Sequence, residues 1–207
     1  MTEYKTIKEA SSDEFIVKKS RFIGYVKPVK TQEEALEFIN EIKTKHWDAT
    51  HNVHAYCLRE GGIRRFSDDG EPQGTAGIPS LDVLLKEEVV DCCVVVTRYF
   101  GGIMLGAGGL VRAYSHSASI AVAAGGVLTR AMCGRLKVTC DYYFYGKMTS
   151  LVPEAGGIIE DTIFEDNVTL IFRLPLDLVD SFNANLVDVS NGRYKAEKTD
   201  EFFADVD

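Results

Sequence analysis

Apolar residues recur along this chain with two different periods, and the switches between them outline its secondary structure. Residues 14–19 and 22–29 alternate as two strands joined through Lys19, Ser20 and Arg21. Thr31 followed by Glu34 reads as a capping box, and Ala35, Phe38, Ile39 and Ile42 come after it at helical spacing. That helix is expected to end near Lys45. Residues 50–58 alternate as a strand, 61–77 are rich in turn formers, and Pro79 suits the first turn of a helix carrying Leu81, Val83, Leu84 and Leu85. Residues 89–97 form an almost continuous apolar run rich in Val, the pattern of a strand buried on both faces. A glycine-rich turn follows, then a helix over 110–124 closed by Gly125 and Gly126.

After Arg135 the pattern restarts. Strands are expected over 136–142, 158–164, 168–174 and 194–203, with helices over 146–155 and through Leu178, Val179, Phe182 and Leu186. The order βαββαβ is that of a ferredoxin-like split βαβ unit. The fold class is therefore α+β in two domains, 1–133 and 134–207, with the connection between them around residues 130–135. No internal repeat or low-complexity segment interrupts either half.

Composition narrows the function classes. The 207 residues are 45% hydrophobic and 26% charged, as expected of a globular protein with a packed core. The polar first twenty residues do not read as a signal peptide, and no apolar run is long enough to span a bilayer, so a cytoplasmic protein without membrane association is expected. Five cysteines, an odd number without CxxC spacing, read as reduced thiols and not as a disulfide or zinc framework. Residues 1–135 carry 17 Lys/Arg and 17 Asp/Glu, whereas 136–207 carry 6 and 14, so the net charge of −8 falls on the second half. A dedicated nucleic-acid binder would carry a basic excess, so any contact with RNA has to be local.

Three segments carry candidate chemistry. His51 and His54 lie three apart on a strand, which points them to opposite faces and argues against a metal pair; no metal and no cofactor is expected. Between Arg64 and Gly77, Arg65, Asp68, Asp69, Glu71 and Thr75 crowd a loop with three glycines, a density typical of functional loops. The turn from Arg98 to Arg112 runs from a buried strand into a helix. Its Gly101, Gly102, Gly106, Gly108 and Gly109 leave backbone N–H groups free at a positive helix end, flanked by Arg98 and Arg112. That assembly suits a phosphate or carboxylate ligand, and is equally consistent with glycines that only permit close packing. It is neither a Walker A loop nor a dinucleotide fingerprint.

Taken together, these segments resemble the IMPACT family. The resemblance rests on Lys19 to Phe22, on Ala49-Thr50-His51 with His54-Ala55-Tyr56, on the block from Phe66 to Gly77, and on Thr97 to Gly102 with Leu105 to Tyr114. It covers residues from about 15 to 125, and the trailing βαββαβ unit is similar to that of the bacterial members. The resemblance implies a left-handed βαβ-type first domain like those of translation factors, and a second domain similar to the last domain of elongation factor G. It also implies a regulator of translation more than an enzyme, and it supplies no catalytic residues.

Two functions follow. The first is a non-enzymatic, translation-linked protein that contacts ribosome, RNA or a translation protein through a surface of Lys19, Arg21, His51, His54, Arg65, Asp68, Asp69, Glu71 and Thr75. The second is an enzyme or small-ligand binder with an anion on the glycine-rich turn and acid–base help from His51, Asp68 or Glu71.

Overall fold

The computed structural model describes residues 2–206. The chain divides into two compact units, one from Tyr4 to Thr129 and the other from Arg130 onward together with the start of the chain. The fold is α+β throughout. The five cysteines are unpaired and buried, and no helix among the described residues is long and apolar enough to cross a membrane.

The first unit begins with β1 (Glu3–Ile7), β2 (Ser11–Val17), β3 (Ser20–Pro28) and α1 (Gln32–Lys45). It continues with β4 (His51–Cys57), β5 (Arg64–Ser67), α2 (Gly77–Lys86), β6 (Cys92–Tyr99) and α3 (Ala107–Gly125). Its sheet has the order β2-β3-β6-β4-β5 with every neighbouring pair antiparallel. β3 and β4 therefore run parallel on either side of β6, with α1 as the crossover between them.

Alternation along the strands sorts the core into two layers. Val94 and Val96 of β6, Val53 and Ala55 of β4, and Phe22 and Val26 of β3 pack with α2 and α3 on one face. Cys93, Val95, Tyr56, Ile23 and Tyr25 pack with α1 on the other. β6 is thus buried on both faces, which its run of apolar residues anticipates.

Local signals place α1 and β6 as the sequence suggests, with differences at the α1 cap and in the stretch 61–77. The Thr31 hydroxyl accepts from the Glu34 N–H at 3.2 Å, but the Glu34 carboxylate takes the N–H of Lys30, one residue before the reciprocal partner of a capping box. The turn-rich stretch 61–77 contains β5, whose Arg64 to Ser67 pair with Cys57 to His54.

In the second unit, β7 (Val127–Cys140), α4 (Tyr142–Glu154), β8 (Ile158–Phe164), β9 (Val168–Pro175), α5 (Val179–Val189) and β10 (Glu197–Asp205) follow one another. The sheet runs β1-β7-β9-β8 with β10 also pairing β7; the pairs β10-β7, β7-β9 and β9-β8 are antiparallel, and these four strands with α4 and α5 over one face make the ferredoxin-like arrangement. Residues 130–135, where the sequence suggests a connection, lie within β7, paired with β10 and, from Cys133 on, also with β9. The strand is longer than its apolar pattern because pairing on both edges satisfies its backbone whatever its side chains.

α3 lies close on β3 because Gly24 has no side chain: a Cβ there would stand 2.3 Å from the Ser117 carbonyl oxygen. Gly24→Ala is expected to lower stability by about 1–3 kcal/mol, the usual cost of overpacking. Gly146→Ala, on α4 with nothing within 4 Å of the added methyl, should be neutral or stabilising by up to about 1 kcal/mol. Urea melts of both variants check this, and equal midpoints would contradict the packing.

Candidate functional site

The loop between β5 and α2 is organised by Asp68. One carboxylate oxygen accepts from the N–H groups of Ala76 and Gly77 and the other from Gly74, at 2.8 to 3.1 Å. Burial alone would push this carboxyl up, yet the three N–H donors more than offset it and hold it below the usual carboxylate range. Asp68 is therefore committed to the loop and is not free for acid–base chemistry. Asp69 and Gly70 take φ of 46° and 89°, the left-handed turn their pairing favours. The Asp69 carboxylate accepts from Lys43 Nζ and from the Asn52 N–H, both at 2.7 Å, and so ties the turn to α1 and β4. Thr75 is buried, and its hydroxyl donates to the Pro72 carbonyl at 2.6 Å.

This scaffold drives Glu71 inward. Its side chain is 3% exposed, and Oε1 accepts from Arg98 Nη1 at 2.5 Å and from the Tyr114 hydroxyl at 2.8 Å. The Arg98 guanidinium lies 5.4 Å from the ring centres of both Phe22 and Phe100. Burial, with the Glu71 charge and hydrogen bond added, pushes the Tyr114 hydroxyl up, so it stays protonated as a donor. His51 completes the group, with Nε2 3.7 Å from Glu71 Oε1. Its Nδ1 lies 2.8 Å from the Asp69 carbonyl oxygen, which only accepts, so Nδ1 carries the proton. In the neutral ring Nε2 is then an acceptor.

Glu71, Arg98 and His51 line a cavity of about 350 Å³ together with Thr50, Pro72, Phe100, Met104, Leu105, Gly106, Ala107 and Leu110. Glu71 and Arg98 are its buried end, whereas Phe100, Met104, Gly106 and Ala107 are exposed at its mouth. α3 starts there, three residues earlier than its apolar pattern suggests. No side chain caps it and its first turn holds no acidic residue, so the N–H groups of residues 107–109 have no partner within the helix.

The candidate residues of the glycine-rich turn separate by role. Gly101 is a packing residue, because a Cβ there would stand 2.0 Å from the Lys19 carbonyl carbon. Gly102 and Gly106 take φ of 82° and 72°. Gly108 and Gly109 lie in the first turn of α3, and an added methyl at Gly108 would be 3.7 Å from Arg112 Nη1. Arg112 therefore folds back over the start of the helix. It is exposed and has no hydrogen-bond or ion-pair partner among the described residues. Arg98, expected as the second anion ligand, is instead bound to Glu71.

The remaining candidates lie elsewhere. Val53 and Ala55 face the α2–α3 core, which puts His51 on that face and His54 on the other. Burial pulls His54 down, with the Lys43 charge adding to it, and its Nδ1 is buried without a partner. Arg21 is paired with Glu14, Arg65 is exposed and donates to the Arg64 carbonyl, and Lys19 is exposed at φ 63° in the β2–β3 turn. No group of three or more His, Cys, Asp or Glu among the described residues is placed to hold a metal. Tyr114 and Thr50 join the site without having been singled out. A buried tyrosine needs a partner for its hydroxyl, which marks Tyr114 as bonded but not to what.

Known proteins share this arrangement of units. The Impact N-terminal domain model matches residues 18–122, and a domain of unknown function (DUF1949) matches residues 138–193. The IMPACT family member YvyE of Bacillus subtilis is 41% identical over 191 residues, covering 92% of this chain and 88% of that protein. The IMPACT family member YigZ of Escherichia coli is 34% identical over 179 residues, covering 85% and 88%. The Protein IMPACT homolog of Dictyostelium discoideum is 36% identical over 104 residues, which are 48% of this chain and 28% of that protein. A solved structure described as the crystal structure of a hypothetical protein superposes with a TM-score of 0.61 at 30% identity, covering 97% of this chain and 98% of that one. With the family model spanning the strands and helices that build the cavity, and the bacterial relatives aligned along most of both units, the chain belongs to the IMPACT family.

Proposed function

We propose that the protein is a non-catalytic, translation-linked regulator that contacts RNA of the translation apparatus through the cavity-bearing face of its first unit. One observation carries this reading: Arg112, without a partner, lies over the uncapped start of α3, and exposed Phe100 and Met104 line the cavity at whose mouth that helix begins. A cation and free N–H groups suit a phosphate, and an exposed aromatic ring suits a base. The translation link itself comes from the family resemblance. Asp68, engaged at both oxygens, argues against one of the three acid–base candidates. A second reading, chemistry on a small substrate, draws support from His51 Nε2 and Glu71 sharing one cavity.

Co-sedimentation with ribosomes and filter binding of structured RNA test the proposal. Binding should weaken as salt is raised, with a shallow slope of roughly two or three phosphate contacts. Arg112→Ala should reduce that slope by about one and leave the melting temperature unchanged. Arg98→Ala is expected to unfold the site, since it strands a buried carboxylate, at a cost of about 3–5 kcal/mol. Absence of RNA binding, joined to loss of cellular function in His51→Ala, would transfer the lead to the enzyme reading.

Asp68→Asn should lower stability by about 1–3 kcal/mol at neutral pH, because an amide cannot accept at both ends. The folded-state carboxyl lies below its ordinary value, so its contribution is present above that value, about 4, and fades as pH falls through the folded one. The gap between parent and variant in denaturant melts should therefore close in acid. A gap that stays constant to low pH would show that the three N–H donors are not its source.

A further inference from the structure

The buried end of the cavity has more hydrogen-bonding capacity than the protein uses. Every side-chain contact of Glu71 meets Oε1, from Arg98 Nη1, from the Tyr114 hydroxyl and from His51 Nε2 at 3.7 Å. Oε2 has no partner among the described residues, although the side chain is 3% exposed. His51 Nε2 stands too far from Oε1 to bond to it, and its other nitrogen is fixed by the Asp69 carbonyl. Arg98 Nε–H is buried and also without a partner. Of these three groups only the Arg98 Nε–H is a buried orphan, which is costly, while Glu71 Oε2 and His51 Nε2 belong to residues lining the cavity, so a ligand that met all three would satisfy the orphan and two open acceptors. The cavity, at about 350 Å³, lies within the range of small-ligand sites.

We propose that this cavity binds a guanine nucleotide unit, with the base edge on Glu71 and His51 and the phosphate at the start of α3 under Arg112. The choice of base follows from donor and acceptor order. A ligand reaching the buried end meets two acceptors, Glu71 Oε2 and His51 Nε2, beside the Arg98 guanidinium as donor. Guanine alone among the common bases presents two adjacent N–H donors, N1–H and the 2-amino group, next to the O6 acceptor. Adenine and cytosine place one amino group beside a ring acceptor, and uracil places a single N–H between two carbonyls. Phe100, Met104, Leu105 and Leu110 supply the apolar walls that a purine ring needs. Phosphate belongs at the mouth, where the free N–H groups at the start of α3 favour negative charge and Arg112, folded over the same turn of the helix, adds a positive one. The inference rests on the reading of this face as a contact for RNA, and it names the unit held there, whether part of an RNA strand or a free mononucleotide.

Calorimetric titration of the full chain with GMP, IMP, AMP and UMP tests it without any mutation. GMP should bind about ten-fold or more tightly than IMP, which lacks only the 2-amino donor, and than AMP or UMP. Glu71→Gln should abolish the preference for GMP over IMP, and Arg112→Ala should weaken all four nucleotides by a similar factor. A hairpin RNA with one unpaired G, compared with the same hairpin carrying inosine there, separates the two sources. Preference for G in the hairpin with weak GMP binding identifies an RNA site, and tight GMP binding without RNA binding identifies a mononucleotide site and removes the RNA reading. RNA binding indifferent to G or inosine, with no preference among free nucleotides, overturns the guanine site and leaves the RNA contact standing. No binding of any nucleotide or RNA overturns both.

Discussion

Glu71 keeps a charge in a place from which water is nearly excluded, on a loop that has no regular structure to hold it there. It stays because Arg98 and Tyr114 meet the same oxygen, one from the central strand β6 and one from the long helix α3. A buried ion pair contributes little net stability, since desolvation offsets much of the attraction, but breaking it leaves an uncompensated charge. Its role is therefore one of position. It closes the 68–77 loop, β6 and α3 onto one point, and the cavity is the space left around that point.

The loop reaches Glu71 only because Asp68 and Asp69 first build the turn before it. Asp68 gathers three N–H groups at the entry to α2, and Asp69 joins the turn to Lys43 and Asn52. Two of the carboxylates in this acidic block are thus internal ligands for backbone and lysine, and the third is the one that faces a cavity. A segment crowded with acid residues has a single carboxylate oxygen to offer a ligand.

The first unit is close to neutral and the second acidic, so no broad electrostatic field draws this chain to a phosphate backbone. Recognition on its cavity face has to come from shape and from a few directed groups. Uncapped helix N–H groups, one unpaired arginine and an acceptor pair on the cavity wall are such groups. They act over hydrogen-bond distances, which salt screens less than it screens a diffuse basic surface.

Much of this was legible in the chain itself. Valine-rich β6 announced burial on both faces, Thr31 announced the start of α1, and the restart after Arg135 announced a second βαββαβ unit, because each depends on neighbours in sequence. The block from Phe66 to Gly77 and the glycine-rich turn also marked where to look. What only the tertiary structure decided was the work of each residue there. Arg98 reads from sequence as an anion ligand, yet folding brings a buried carboxylate against it, and the nearer charge prevails. Asp68 and Glu71 are three residues apart and alike in chemistry, but one meets backbone N–H groups and the other an arginine, a tyrosine and a cavity. Tyr114 entered the site from a helix whose expected span, 110–124, gave no sign of what its hydroxyl would meet. Side-chain roles of this kind depend on partners tens of residues away, and no local pattern encodes that distance.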